Sequence, residues 1–402
     1  MSFDPIIARR YFPSLHRPSE RGGVPVFFDN PAGTQVPQQV IDTVTHYYLT
    51  SNANSGGTFA TSQRSDEMVE GVRRKMAQFL GAPNSQEIVF GANMTTLNFA
   101  LSRAIAKTLT PGDEVVLTRM DHDANVSPWL RIADDYGLTV RWVDLRPEDC
   151  TLNLDTLEAA LTSRTKVVAT VHASNAAGTV NPVARIVQMA KAAGALTVVD
   201  AVQSAPHIPI DVQAIGCDFL MCSSYKFFGP HLGILWGRYD LLESLPAYKV
   251  RPAHDEPPHR WETGTGCFEL IAGLGGALDY LDVLNGGRGP TTAPFVKYEQ
   301  ELVAALIAML QRIPGVTIYG ITDPERAAER VPTVIFEMAG HTPEAIAAHL
   351  AAHDIYVWHG NYYAVEIMGR LNKPDGLVRV GLAHYNTTAE IDRMGVALRK
   401  LV

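Results

Sequence analysis

Short β-branched runs separated by amphipathic stretches constrain this chain more than any other feature. The runs are Glu114 to Thr118, Thr139 to Asp144, Lys166 to His172, Leu196 to Asp200, Asp218 to Cys222 and Gly233 to Trp236, and amphipathic segments such as Thr95 to Lys107 and Val183 to Ala193 lie between several of them. That alternation builds crossover βα units around a mostly parallel sheet. Val167 to Thr170 and Thr197 to Val199 are apolar at nearly every position, as strands covered on both faces must be.

After about residue 285 the texture changes. Gly286, Gly287, Arg288, Gly289 and Pro290 form a breaker-rich turn, and a long helical segment begins near Pro294. Short strands follow at Val316 to Tyr319, Thr333 to Glu337, Ile355 to Trp358 and Leu377 to Leu382, with helices between them, which describes a smaller α+β unit. The expected division is a large domain at 26–290, with 1–25 and 291–402 forming a small one. No internal repeat or low-complexity tract is present.

The 402 residues are 46% hydrophobic and 19% charged, an ordinary composition for a folded chain with a sizeable core. The net charge of -8 includes no basic block, which argues against nucleic acid or an anionic membrane as partner and leaves a small molecule. Met1 to Arg21 lacks the apolar core of a signal peptide and no later run approaches a bilayer span, so the cytoplasm is the expected compartment. Cys150, Cys217, Cys222 and Cys267 form no C-x-x-C pair and read as reduced, mostly buried thiols. His254, Asp255, Glu256 and His259 make a polar cluster, but the Pro257-Pro258 pair denies it helical metal-site spacing, and no metal is expected.

The chemistry gathers at strand ends, where open α/β sheets bind ligands. Lys226 lies in Ser223-Ser224-Tyr225-Lys226-Phe227-Phe228-Gly229-Pro230, just past one run. A partly desolvated lysine there is suited to covalent carbonyl chemistry. Asp200 closes another strand and is followed by Ala201-Val202-Gln203; it can cap the next helix or pair with the pyridinium nitrogen of pyridoxal 5'-phosphate, PLP. His172 to Thr179 and Met120-Asp121-His122-Asp123-Ala124-Asn125 follow two more strands, and an imidazole over a pyridine face can stack or move protons. Thr95 and Thr96 open a helix after Ile88-Val89-Phe90, where free amides and hydroxyls serve equally for capping and for a phosphate.

With these residues in hand, the sequence resembles the cysteine desulfurase and class V aminotransferase group of fold-type I PLP enzymes, from about Phe28-Asp29-Asn30 to Arg379 and Asn386. The resemblance implies an α/β large domain with a mostly parallel seven-stranded sheet and a smaller α+β domain. It further implies Lys226 as the Schiff-base lysine, Asp200 on the ring nitrogen, Gln203 near the ring hydroxyl and His122 stacked above the ring. Thr95 and Ser223 would hold the phosphate, with Tyr225 in place of a family histidine. Thr265, in Glu262-Thr263-Gly264-Thr265, would reach the other subunit's phosphate, implying a homodimer with shared sites. Arg379, assisted by Asn175, would bind the substrate carboxylate, a task suited to a planar guanidinium.

One departure matters more than these matches. Desulfurases of this group attack the substrate sulfur with a loop cysteine, but here the loop reads Val357-Trp358-His359-Gly360-Asn361-Tyr362-Tyr363-Ala364, with Tyr363 in the cysteine's place and Trp358 in that of a frequent arginine. No cysteine follows Cys267. The expectation is therefore a PLP enzyme that acts at Cα of an amino acid through an external aldimine, with Lys226 as base, and performs a C–S lyase-type β-elimination without a persulfide. Tyr363, Trp358 and Tyr362 would line an aromatic substrate pocket, and His359 would touch substrate or cap the loop. Transamination, racemisation or epimerisation, desulfuration with a different sulfur acceptor, and a catalytically retired binding protein remain as alternatives.

Overall fold

In the central strands alternate side chains enter opposite cores, which is why hydrophobic residues occupy nearly every position. The computed structural model describes residues 3–402, so Met1 and Ser2 of the expected small-domain segment lie outside it. Seven strands form the large sheet: β1 (Ile88–Gly91), β2 (Glu114–Thr118), β3 (Thr139–Val143), β4 (Thr165–Val171), β5 (Leu196–Asp200), β6 (Phe219–Ser223) and β7 (Gly233–Gly237). Their spatial order is β1-β7-β6-β5-β4-β2-β3. Val198, Phe219, Met221 and Leu235 pack with Leu97, Leu101 and Trp129 on one face. Their neighbours Val199, Leu220, Cys222 and Ile234 pack with Val72, Met76 and Leu278 on the other. The period of two along each strand feeds both layers.

β7 alone runs against its neighbours. The segment from Ser224 to Leu232 is too short for the helical crossover that a parallel return requires, so the chain turns back at once. All other strands of this sheet end at one edge. Gly233 starts β7 at that same edge, where a Cβ would collide with the backbone of Asn93. The glycine lets α1 (Met94–Ala106) begin directly against the sheet.

The second sheet contains β8 (Val316–Tyr319), β9 (Thr333–Met338), β10 (Trp358–Gly360) and β11 (Leu377–Gly381), antiparallel in the order β8-β9-β11-β10. Helices Val296–Gln311, Pro343–Ala351 and Thr388–Leu398 cover it, with Leu306, Leu350 and Met394 in a shared core. The single strand expected over Ile355 to Trp358 is divided. Ile355 and Tyr356 pair with Val26 and Phe27, while Trp358 to Gly360 pair with β11, because the segment serves two different partners. The N-terminal region touches both cores: Phe12 and Leu15 pack with Phe228 and Tyr280, whereas Val26 and Phe28 pack with Leu306 and Val380.

Candidate active site

The strand ends converge on a cleft lined by Thr95, His122, Asn175, Asp200, Gln203, Ser223, Tyr225 and Lys226, together with Asn93, Met94, Ala124, Val171, Ala173 and Val202. Eight of the residues singled out in the sequence therefore share one cavity. Each is delivered by a turn leaving β1, β2, β4, β5 or β6, which a parallel sheet aims at the same edge.

Lys226 is buried, and its Nζ donates to the carbonyl of Pro31. Burial first, and the Arg379 charge second, hold its ammonium down at about 7, although Asp200 pulls the other way. A buried amine that is about half unprotonated at neutral pH suits carbonyl capture and proton transfer. One carboxylate oxygen of Asp200 accepts from the Val202 amide at 2.8 Å. Burial raises this carboxyl to about 6, opposed by that amide and by Lys226, so a cationic ring nitrogen would complete its charge balance.

His122 accepts the Ala124 amide at Nδ1, which leaves the proton on Nε2. Burial, then Lys226 and Arg379, depress its pKa to about 4. The ring is neutral at pH 7 and free to lie flat against an aromatic heterocycle. At the other end of the cleft, the Ser223 hydroxyl accepts from the Met94 amide at 3.2 Å and Thr95 stands in the first turn of α1. An anion there meets a helix N-terminus. The Thr96 hydroxyl and amide both go to Asn93 Oδ1, at 2.9 and 2.8 Å, and Thr96 is not among the residues lining the cleft. Capping accounts for it.

Arg379 is buried on β11 and donates from Nη1 to the carbonyl of Asn175 at 2.8 Å. Burial lowers its pKa to about 10. Trp358 is directly across from Arg379 in the register of β10 and β11, so the two share a sheet face. His359 is opposite Val378, a core residue on the other face, and is exposed. That register places His359 on the face opposite Arg379. Tyr363 is 70% exposed, with its ring 5.5 Å from that of His122 and its carbonyl accepting from the Asp123 amide. Thr265 is exposed outside its own chain's cleft. The adjoining Glu262 is anchored by Arg73 at 2.7 Å and by the Phe90 amide. In the His254 cluster, the His254 and His259 rings lie 5.8 Å apart, and His259 leans toward Glu262.

Two participants went unselected in the sequence reading. Pro31 supplies the carbonyl on Lys226, and Asp29, raised to about 6 by burial, feels the charge of Arg379. Both occupy the Asp29-Asn30-Pro31-Ala32-Gly33 turn, whose breaker composition was the available signal.

Buried polar atoms that lack protein partners include Gln203 Oε1, Asn175 Oδ1 and Arg379 Nε. Together with the amine, the carboxyl and the helix N-terminus, they fit a flat cofactor with a ring nitrogen, a ring hydroxyl and a phosphate. A doubly wound sheet with this edge defines a fold-type I PLP enzyme. The Aminotransferase class-V family profile matches residues 26–394, and the chain belongs to that family. Pyridoxal 5'-phosphate is its cofactor.

Among relatives, the chain is 34% identical to a cysteine desulfurase of Serratia proteamaculans over 100% of this chain and 99% of that one. Among solved structures, it resembles the apo cysteine desulfurase of Thermococcus onnurineus NA1, with TM-score 0.90 and 28% identity, covering 100% and 99% of the two chains. It also resembles the cysteine desulfurase CsdA of Escherichia coli in an S-sulfonic acid form, with TM-score 0.87 and 27% identity over 100% and 98%. The chain is thus a desulfurase-like enzyme of the class-V family. No helix among the described residues is long and apolar enough to cross a membrane.

Proposed function

We propose that this enzyme cleaves the Cβ–S bond of a sulfur-containing α-amino acid by β-elimination, without a persulfide intermediate. The observation that carries this reading is the absence of a thiol from the cleft lining, with Tyr363 at the loop position where desulfurases of this group carry one. Cys150, Cys217 and Cys222 are buried and Cys267 is exposed outside the lining. Burial pushes the Cys150 and Cys217 thiols up to about 12 and Cys222 higher still, so none of these three is a ready nucleophile.

In this reading Arg379 grips the substrate carboxylate, and Lys226 carries the cofactor and then takes the proton from Cα. PLP, when bound, supplies an electron sink at Cα. The amine of Lys226, at about 7 in the cofactor-free chain, is matched to proton transfer near neutrality. His122, neutral and held by Ala124, would cover one face of the bound cofactor and exclude water from it. The bond from Cβ to sulfur breaks with its electron pair on sulfur, giving a thiol; the remaining carbon skeleton takes up water and leaves as a keto acid and ammonia. The balance needs no oxidant or reductant.

The same proposal includes a homodimer in which Thr265 serves the other subunit's site, a cytoplasmic setting, and a division near residue 290 between the two sheets. The test is incubation with L-cysteine and S-substituted cysteines, with assays for pyruvate, ammonia and the sulfur product, which is hydrogen sulfide from L-cysteine and a thiol from the S-substituted cysteines. Equal release of all three is expected, with a loss of about a hundredfold or more in Lys226→Ala. Alanine formation with thiol-dependent sulfide release and no pyruvate would overturn the reading.

A further inference from the structure

We propose that Tyr362, not its neighbour Tyr363, is a positioning residue for substrate carboxylate binding: it holds Arg379 in one orientation and fixes the Asn175 amide. This rests on the reading of Arg379 as the carboxylate site. The guanidinium carbon of Arg379 lies 4.2 Å from the centroid of the Tyr362 ring. The Tyr362 hydroxyl donates to the carbonyl of Leu377, on the same strand as Arg379. Its own carbonyl accepts from Asn175 Nδ2 at 3.0 Å, and the Asn175 carbonyl in turn accepts from Arg379 at 2.8 Å. Three contacts from one residue thus close a circuit between the small sheet and the loop after β4.

The circuit has chemical consequences. A carbonyl only accepts, so the Asn175 atom facing Tyr362 must be the amide nitrogen. The acceptor Oδ1 is left buried and unpartnered, as is Arg379 Nε. Among the described residues no carboxylate comes within ion-pairing distance of Arg379. A buried guanidinium held on one face by an aromatic ring, with donors unspent, is prepared for an incoming anion. Burial raises the Tyr362 hydroxyl above its ordinary range, so it stays protonated and keeps its hold on Leu377.

The backbone carries the cost of this arrangement. Tyr362 and Tyr363 are consecutive left-handed residues, with φ of 55° and 56°, a conformation that side-chain-bearing residues adopt only when their surroundings impose it. The outcome is that Tyr362 turns inward, 9% exposed, beneath Arg379, while Tyr363 turns outward, 70% exposed, beside His122.

The test uses the PLP-loaded enzyme with Tyr362→Leu, Tyr362→Phe and Arg379→Leu. Binding is read from the cofactor absorbance change during titration with an α-amino acid and, in parallel, with the amine of the same side chain lacking the carboxylate; KM and kcat are measured separately. Tyr362→Leu should raise Kd and KM for the amino acid about tenfold or more, change kcat by less than about threefold, and leave amine binding as in the wild type. Tyr362→Phe, which keeps the ring and loses only the Leu377 tether, should recover most of that affinity. A purely structural role would weaken amine and amino acid alike, and that result overturns the proposal. So does wild-type amino-acid affinity in Tyr362→Leu while Arg379→Leu has lost it. Should Tyr362→Leu not fold, equal weakening of amine and amino acid in Tyr362→Phe refutes the proposal. Unchanged amino-acid binding in Arg379→Leu would instead sink the carboxylate reading beneath it.

Discussion

Lys226→Met in the cofactor-free protein should stabilise the fold at low pH and lose that effect as pH rises. In the folded chain the Lys226 ammonium titrates at about 7 rather than at its ordinary 10.5, chiefly because it is buried. At about 1.4 kcal/mol per pH unit, that depression opposes folding by about 5 kcal/mol below pH 7, where the unfolded chain keeps its proton at no cost. Between 7 and 10.5 the unfolded chain binds more protons than the folded one, so the opposition fades steadily with rising pH and ends near 10.5. Met removes the buried charge but strands the Pro31 carbonyl that Nζ occupies, a loss of roughly 1–3 kcal/mol. The variant should therefore be more stable than the wild type by roughly 2–4 kcal/mol at pH 6, and nearly equal to it at pH 9. Urea unfolding of both apoproteins at the two pH values measures this at fixed protein concentration. A stability difference independent of pH, or a variant less stable at pH 6, would refute the claim that burial sets the state of this amine.

Two further outcomes follow from the same contacts. Glu262→Gln should destabilise the protein by roughly 1.5–3 kcal/mol at pH 7, since the buried Arg73 loses one of its two carboxylate partners and keeps only Glu70. Burial pushes the Glu262 carboxyl up, but His259 and Arg73 draw it down to about 2. Its contribution is therefore present above the ordinary 4.5 and lost as pH falls toward 2, and unfolding at pH 7 and pH 3.5 should show the gap narrowing. Alkylation with iodoacetamide in Cys267→Ser should leave turnover within about twofold of the untreated protein, because the remaining thiols are buried and protonated; complete inactivation would place a thiol in the mechanism.

The parts of the site that were legible in the sequence are those reached by walking off the end of a doubly buried strand. Such strands are apolar at nearly every position, so Asp200 and Ser223 stand out as the polar residues that close them, and parallel topology brings their edges together. Thr95 and Thr96 illustrate the boundary of that logic. Both sit at a helix start, yet which hydroxyl caps and which faces the cleft depends on where Asn93 turns its side chain.

The loop from Trp358 to Tyr363 was less legible, because strand register and two left-handed residues decide it. Slipping β10 by one position would exchange the faces of Trp358 and His359, and their order in the sequence does not reveal which one shares a face with Arg379. No glycine or asparagine occupies position 362 or 363 to announce positive φ. The direction of each tyrosine follows instead from partners far along the chain: Leu377 and Asn175 draw one inward, and Asp123 fixes the carbonyl of the other. A thiol at position 363 would inherit a backbone whose carbonyl is tied to the large sheet's side of the cleft. Helix Val365–Arg370, which follows it, is joined to that same side through Arg119 with Glu366 and Asp144 with Arg370. A loop tied at both levels is held against the large sheet's side of the cleft, whichever side chain stands at position 363.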